Sequence, residues 1–188
     1  MEQSAKMYGD LEKILVTKED IESKVRELGK TITRDYEGKE PVMVCILKGA
    51  FMFFSDLVRE IDLPLTTDFM AISSYGSATK TSGVVRVLKD LDNDILDKDV
   101  ILVEDIVDTG VTLSYLRSML LHRGAASIRI AALLDKTARR KVKDLKVDYV
   151  CVDSPDAFVV GYGLDFSQKY RNLPEIGVLS PAVYEPAK

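Results

Sequence analysis

Apolar positions along this chain fall into two patterns, helical spacing and short unbroken runs, and their alternation predicts an α/β fold. After Thr17 the segment TKEDIESKVRELGKTITRDY places Ile21, Val25, Leu28 and Ile32 at helical spacing behind a Thr cap and an acidic first turn, so an amphipathic helix is expected there. Pro41 then opens PVMVCIL, a continuous, partly β-branched run of strand length, followed by a tight turn at Lys48-Gly49 and a helix-like AFMFFSDLVREI. A further strand is expected over Thr67 to Ser73, then the polar, aperiodic YGSATKTSG as a loop, then VVRVL as a strand.

The same unit follows a second time. Val100 to Val103 reads as a short buried strand, Glu104 to Gly110 as a turn, Thr112 to Arg123 as a helix closed by Gly124, and Ser127 to Leu134 as another apolar strand. Strands without polar alternation that alternate with helices imply a mainly parallel sheet covered on both faces, with ligands bound outside the carboxyl ends of the strands. The turns after Leu47, Val103 and Leu134 therefore become the candidate site. The final VDYVCV, AFVVGYG and IGVL are short strands broken by Pro and Gly, which suits a small lobe over that edge. The expectation is one domain over 1–188, with a core of about 38–150 and a hood from the N-terminal residues and about 151–188.

Composition narrows the ligand. A chain of 188 residues, 46% hydrophobic and 30% charged, has the makings of a packed core. Its net charge of -4 provides no general basic surface for nucleic acid or anionic membrane, so a small molecule is favoured. Cys45 and Cys151 both sit in apolar runs and are expected to be buried free thiols, in keeping with a reducing compartment. Neither a signal-peptide run at the N-terminus nor an apolar run of membrane-spanning length is visible, and a cytoplasmic location is expected.

The candidate chemistry lies in VILVEDIVDTGVTL. A buried strand delivers Glu104 and Asp105, then Asp108, then Thr109, Gly110 and Thr112 at a helix start. Unpaired N-H groups at a helix N-terminus, with hydroxyls and a Gly that permits close approach, form a cradle for a phosphate. Carboxylates just before it suit the vicinal hydroxyls of a ribose and a hydrated metal ion. Taken singly, Asp108 and Thr109 would also serve as plain helix caps, and the acidic pair as a solvated turn.

This segment resembles the phosphoribosyl-pyrophosphate signature of type I phosphoribosyltransferases. The resemblance runs from about Pro41 to Val178, because LKG, SSYG, DK and FVVGYGLDF recur in the family's order, and it is nearest to members acting on 6-oxopurines. It implies the type I phosphoribosyltransferase fold, a Mg2+ cofactor, and transfer of a phosphoribosyl group from phosphoribosyl pyrophosphate to N9 of hypoxanthine or guanine. By the same resemblance Glu104 and Asp105 face the ribose diol and the magnesium, Asp108 is the general base at purine N7, and Asp108, Thr109, Gly110, Val111 and Thr112 hold the 5′-phosphate. Lys48 and Gly49 match the pyrophosphate loop, where the family has a non-proline cis peptide, and Arg171 matches the cation on the pyrophosphate. Ser74 and Tyr75 match the tip of a loop that closes over the reaction.

For the base, Lys136 matches the donor to the 6-oxygen, Phe158 the stacking ring and Val159 the main-chain contacts, while Asp165, also in the purine-binding set, matches a carboxylate of the second magnesium site. An ammonium is donor-only, so it pairs with a 6-oxo acceptor and mismatches the amino group of adenine, a kind of mismatch worth about 10⁴-fold in rejection. Departures from the family pattern are Val111, where some members carry Lys, and Phe166, where Tyr is frequent; they leave the ranking of hypoxanthine, guanine and xanthine open. A homodimer or homotetramer is implied as well. Outside the resemblance, Phe158 and Val159 read as ordinary core strand, and lone His122 as a surface residue at a helix end. The competing readings are a sister enzyme using adenine or a pyrimidine, against which Asp108 with Lys136 argues, and a nucleotide-sensing, RNA-binding regulator with this fold, which the acidic balance disfavours.

Overall fold

The computed structural model describes residues 2–74 and 85–185. In chain order its elements are α1 (Glu2–Gly9), β1 (Leu11–Val16), α2 (Lys18–Asp35), β2 (Val42–Leu47), α3 (Phe51–Arg59), β3 (Thr66–Ser74), β4 (Val85–Lys89), β5 (Asp99–Val107) and α4 (Val111–His122). Then follow β6 (Ser127–Asp135), a 3-10 turn at Thr137–Arg139, β7 (Tyr149–Asp153), β8 (Val159–Val160), β9 (Ile176–Leu179) and α5 (Pro181–Tyr184).

Helix α2 begins where its sequence dictates: Thr17 Oγ1 accepts from the backbone N-H of Asp20 at 3.1 Å, and Ile21, Val25, Leu28 and Ile32 form its buried face. The main sheet has the order β4-β3-β2-β5-β6-β7 and is parallel except for the β3–β4 pair. Alternate residues of its central strands enter two separate cores. Met43, Cys45, Ile101 and Val103 pack with α2 and α3, whereas Val44, Ile46, Val100 and Leu102 pack with Leu113, Leu116 and Leu120 of α4. Burial on both faces explains why Val42–Leu47 and the paired stretch from Val100 to Val103 are apolar at every position. Both cysteines are buried and unpaired, and burial pushes each thiol up to about 12.

Three features differ from the sequence expectation. Strand β5 does not stop at Val103: it stays paired with β6 through Ile106↔Leu134 and Val107↔Asp135, so the turn is confined to Asp108–Gly110. Its pairing with β2 ends at Cys45↔Val103, which frees one edge of Glu104–Val107 and lets polar side chains occupy a strand. The second feature is β1, which pairs antiparallel with β9; together with β8 it makes a three-stranded sheet, β1-β9-β8. The third is β7: the VDYVCV segment, expected in the small lobe, pairs parallel with β6 as the sixth strand of the main sheet, because its apolar side chains complete the core beside β6. Among the described residues no helix is long and apolar enough to cross a membrane.

Candidate active site

The carboxyl ends of β2 and β5 open onto a cleft of about 280 Å³, walled by Lys48, Gly49, Glu104, Asp105, Asp108, Thr109, Gly110 and Thr112 among others. Strand β2 leaves the sheet there through a cis peptide between Leu47 and Lys48. Gly49 is buried against the acidic strand so closely that a β-carbon on it would lie 1.4 Å from Asp105 Oδ2. Only a glycine lets the loop approach this carboxylate.

The turn into α4 is held from outside. Arg140 Nε donates to the Asp108 carbonyl at 3.3 Å, and the N-H groups of Lys141 and Val142 donate to the Thr109 carbonyl at 3.0 and 3.2 Å. Gly110, the N-cap, adopts a left-handed φ of 77° with Leu145 and Arg140 packed against it. No side chain caps α4 from that position; Thr109 Oγ1 accepts from the Val111 N-H at 3.4 Å. The carbonyls of this loop are thus satisfied away from the cleft, and the helix start, touched only by the long contact from Thr109 among the described residues, forms an anion cradle with the Thr109 and Thr112 side chains. Val111 supplies backbone to that helix start without lining the cleft wall.

Behind the cradle stand the two adjacent acids. Burial, and then the neighbouring Asp105, push the Glu104 carboxyl well above the usual carboxylate range. Burial also raises Asp105, against hydrogen bonds and the Arg171 guanidinium that pull it down. Among the described residues no cluster of three or more carboxylate, thiol or imidazole groups is assembled as a metal cage. Magnesium needs none, since it commonly takes one or two carboxylates and completes its shell with phosphate oxygens and water. An acidic pair held at a cost without a cation fits such an ion.

A carboxyl whose folded-state pKa is raised contributes stability that is complete below its unfolded pKa and is lost as pH rises through the folded value. Glu104→Gln is therefore expected to melt higher than the wild type at pH 8 without ligand, by about 3 °C, with the gain fading toward pH 4. Thermal denaturation at the two pH values checks this; an unchanged or lower Tm at pH 8 would contradict it.

Asp108 closes the far side. Its Oδ2 lies 3.7 Å from Arg139 Nη1, while Oδ1 is buried and has no hydrogen-bond partner among the described residues. Arg139 also pairs with Asp156 through Nε at 2.5 Å. Lys136, 7% exposed, donates through Nζ to the Ala157 carbonyl at 2.6 Å, next to Phe158 and Val159. Burial lowers the pKa of this lysine. The Lys136 N-H donates to the Val107 carbonyl at 2.9 Å, which ties this turn to the end of β5. Val159 is buried in β8, and Phe158 keeps 40% of its surface exposed.

Arg171 and Asp165 are brought together: Nη2 lies 2.7 Å from Asp165 Oδ1, and Nη1 donates to the Gly163 carbonyl at 2.7 Å. Gly163 in turn lies against the Gly49 carbonyl, where a β-carbon would come within 2.1 Å, so the Arg171 pair is joined to the Lys48-Gly49 loop. Ser74 ends β3, and Tyr75 lies outside the described residues. His122 Nδ1 is bonded to the Ser118 carbonyl at 2.7 Å on the surface of α4, away from this cleft. Sequence reasoning missed Arg139, Gly163 and Tyr184, whose ring stacks on Phe158 at 5.0 Å. Of these only Gly163, inside GYGLDF, carried a visible signal.

Comparison with known proteins places the chain in a family. The model of the phosphoribosyl transferase domain matches residues 13–167. The chain is 52% identical over 175 residues to the hypoxanthine-guanine phosphoribosyltransferase of Streptococcus thermophilus, covering 93% of this chain and 97% of that one. It is 51% identical over 179 residues to the enzyme of the same name from Bacillus subtilis, covering 95% and 99%. A crystal structure of a hypoxanthine phosphoribosyltransferase from Staphylococcus aureus superposes with a TM-score of 0.92 at 49% identity, over 96% of this chain and 97% of that chain. The chain belongs to the type I phosphoribosyltransferase family, in its hypoxanthine-guanine branch.

Proposed function

We propose that this chain salvages purines by transferring the 5-phosphoribosyl group of phosphoribosyl pyrophosphate to N9 of hypoxanthine or guanine, giving IMP or GMP and pyrophosphate. The observation that carries this reading is the cleft in which Asp108, with a buried carboxylate oxygen, stands between a helix N-terminus and a half-buried acidic pair. The cradle from Asp108 to Thr112 takes the 5′-phosphate, mostly through main-chain N-H groups, and Glu104 and Asp105 accept hydrogen bonds from the ribose diol. Lys48, Gly49 and Arg171 face the pyrophosphate, the guanidinium being shared with Asp165.

As the bond from ribose C1′ to pyrophosphate breaks and that to N9 forms, positive charge spreads over the imidazole ring and the sugar. Asp108 accepts the N7 proton and offsets that charge, worth about 10²- to 10⁴-fold in rate. Lys136 donates to the 6-oxygen, Phe158 stacks on the base, and Val159 meets its edge through the main chain. Glu104, Asp105 and, on the base side, Asp165 would hold Mg2+, which neutralises charge on the leaving pyrophosphate when bound. Ser74 and Tyr75 belong to the covering loop. The same reading places the protein in the cytoplasm as a homodimer or homotetramer, with small-molecule substrates rather than nucleic acid or membrane as its ligands.

Ultraviolet assay of IMP and GMP formation, with and without EDTA, tests the reading. Product is expected from both bases only with magnesium; no product with either base would overturn it. Gly49→Ala is expected to cost about 10²-fold in kcat/KM for phosphoribosyl pyrophosphate, because the added methyl displaces the Asp105 carboxylate. Steady-state kinetics with that substrate varied provides the check.

A further inference from the structure

We propose that Tyr184, in the last helix of the chain, is a positioning residue for the purine: it backs the Phe158 ring and fixes the face on which the base stacks. This inference rests on the reading of Phe158 as the stacking ring. Three aromatic rings meet at the rim of the hood. Tyr184 stacks on Phe158 with centroids 5.0 Å apart and planes 24° apart; Phe166 meets Phe158 edge-on at 5.7 Å and 89°, and also meets Tyr184 at 6.4 Å and 65°. Tyr184 and Phe166 pack on the hood's own cluster of Val160, Tyr170, Leu173 and Leu179, which is distinct from the two cores flanking the main sheet.

The lysine read as base-facing donates through Nζ to the carbonyl of Ala157, the residue preceding Phe158. Tyr184 thus covers one face of the Phe158 ring, while 40% of the residue's surface stays exposed. A half-exposed phenylalanine without such backing would rotate among rotamers, and a purine would have to order it on binding. Helix α5 is itself tied down, since the Ser180 N-H donates to the Asp10 carbonyl at 2.9 Å, so Tyr184 is a fixed stop rather than a loose tail.

Kinetics of Tyr184→Ala, Tyr184→Phe, Phe158→Ala and the double variant Phe158→Ala/Tyr184→Ala test this. An aromatic pair of this kind corresponds to about a two- to tenfold effect. The KM for hypoxanthine is expected to rise by that factor in Tyr184→Ala, with kcat and the KM for phosphoribosyl pyrophosphate unchanged. Tyr184→Phe is expected to match the wild type, and the double variant to be no worse than Phe158→Ala. An unchanged KM in Tyr184→Ala beside a raised one in Phe158→Ala would overturn this inference alone. An unchanged KM in Phe158→Ala would overturn the stacking reading and this inference with it. A lowered KM in Tyr184→Ala would mean that the tyrosine occupies the place of the base, also against the proposal. Should Tyr184→Ala fail to fold, Tyr184→Leu keeps the apolar cover without the flat face, and the same rise in KM is expected.

Discussion

Asp108→Asn is expected to lower kcat by about 10²- to 10⁴-fold while leaving the affinity for phosphoribosyl pyrophosphate within a few-fold of wild type. The two effects separate because the cradle is built from backbone. The loop is pinned by Arg140, Lys141 and Val142 acting on the carbonyls of Asp108 and Thr109, contacts that do not use the Asp108 carboxylate. Asparagine keeps the size of the side chain but cannot take a proton at the position of the buried, unpartnered Oδ1. Single-turnover rates, together with equilibrium titration of the phosphoribosyl substrate, separate chemistry from binding. Turnover near that of the wild type would remove Asp108 from the proton transfer.

Lys136→Gln should have the second largest effect, in specificity rather than in rate alone. Replacing a buried, charge-bearing donor to the 6-oxygen by a neutral amide is expected to cost about 10²-fold in kcat/KM for hypoxanthine. The amide can also accept, so the ratio of hypoxanthine to adenine should narrow at the same time. Glutamine is one atom shorter than lysine, so the contact to the Ala157 carbonyl weakens as well, and the loss of the donor is read from the ratio of the two bases rather than from one rate. Measuring both bases on both proteins distinguishes loss of a donor from general damage, because damage would leave the ratio untouched.

The layered core was legible because its physics is local or periodic. Thr17 with its acidic first turn announces α2, and unbroken apolar runs such as Val42 to Leu47 announce strands covered on both faces. Strand β5 was read short since polarity usually marks the end of a buried strand. Here Glu104 and Asp105 stay in the strand because β2 departs after its last pairing with β5 and opens one edge. Strand β1 went unseen because most of its side chains are exposed or half-buried and its pairing depends on β9, some 165 residues away.

The site divides along the same line. The stretch from Glu104 to Thr112 brings its acids and cradle together by contiguity, so spacing alone suggested a ribose-phosphate ligand. Arg139 and Tyr184 act across the fold, on Asp108 and Phe158, and nothing in their own neighbourhoods points to those partners. Lys136 and Arg171 were reached through family resemblance, not through periodicity. The geometry then added that Arg171 is linked through Gly163 to the Lys48-Gly49 loop.

The account turns on a carboxylate at Asp108 and a donor-only cation at Lys136 serving one 6-oxopurine. Its most direct test is kcat/KM of the wild-type protein for hypoxanthine and adenine, measured side by side with saturating phosphoribosyl pyrophosphate and magnesium. The account predicts a ratio of about 10⁴ in favour of hypoxanthine; comparable values for the two bases, or a preference for adenine, would contradict it.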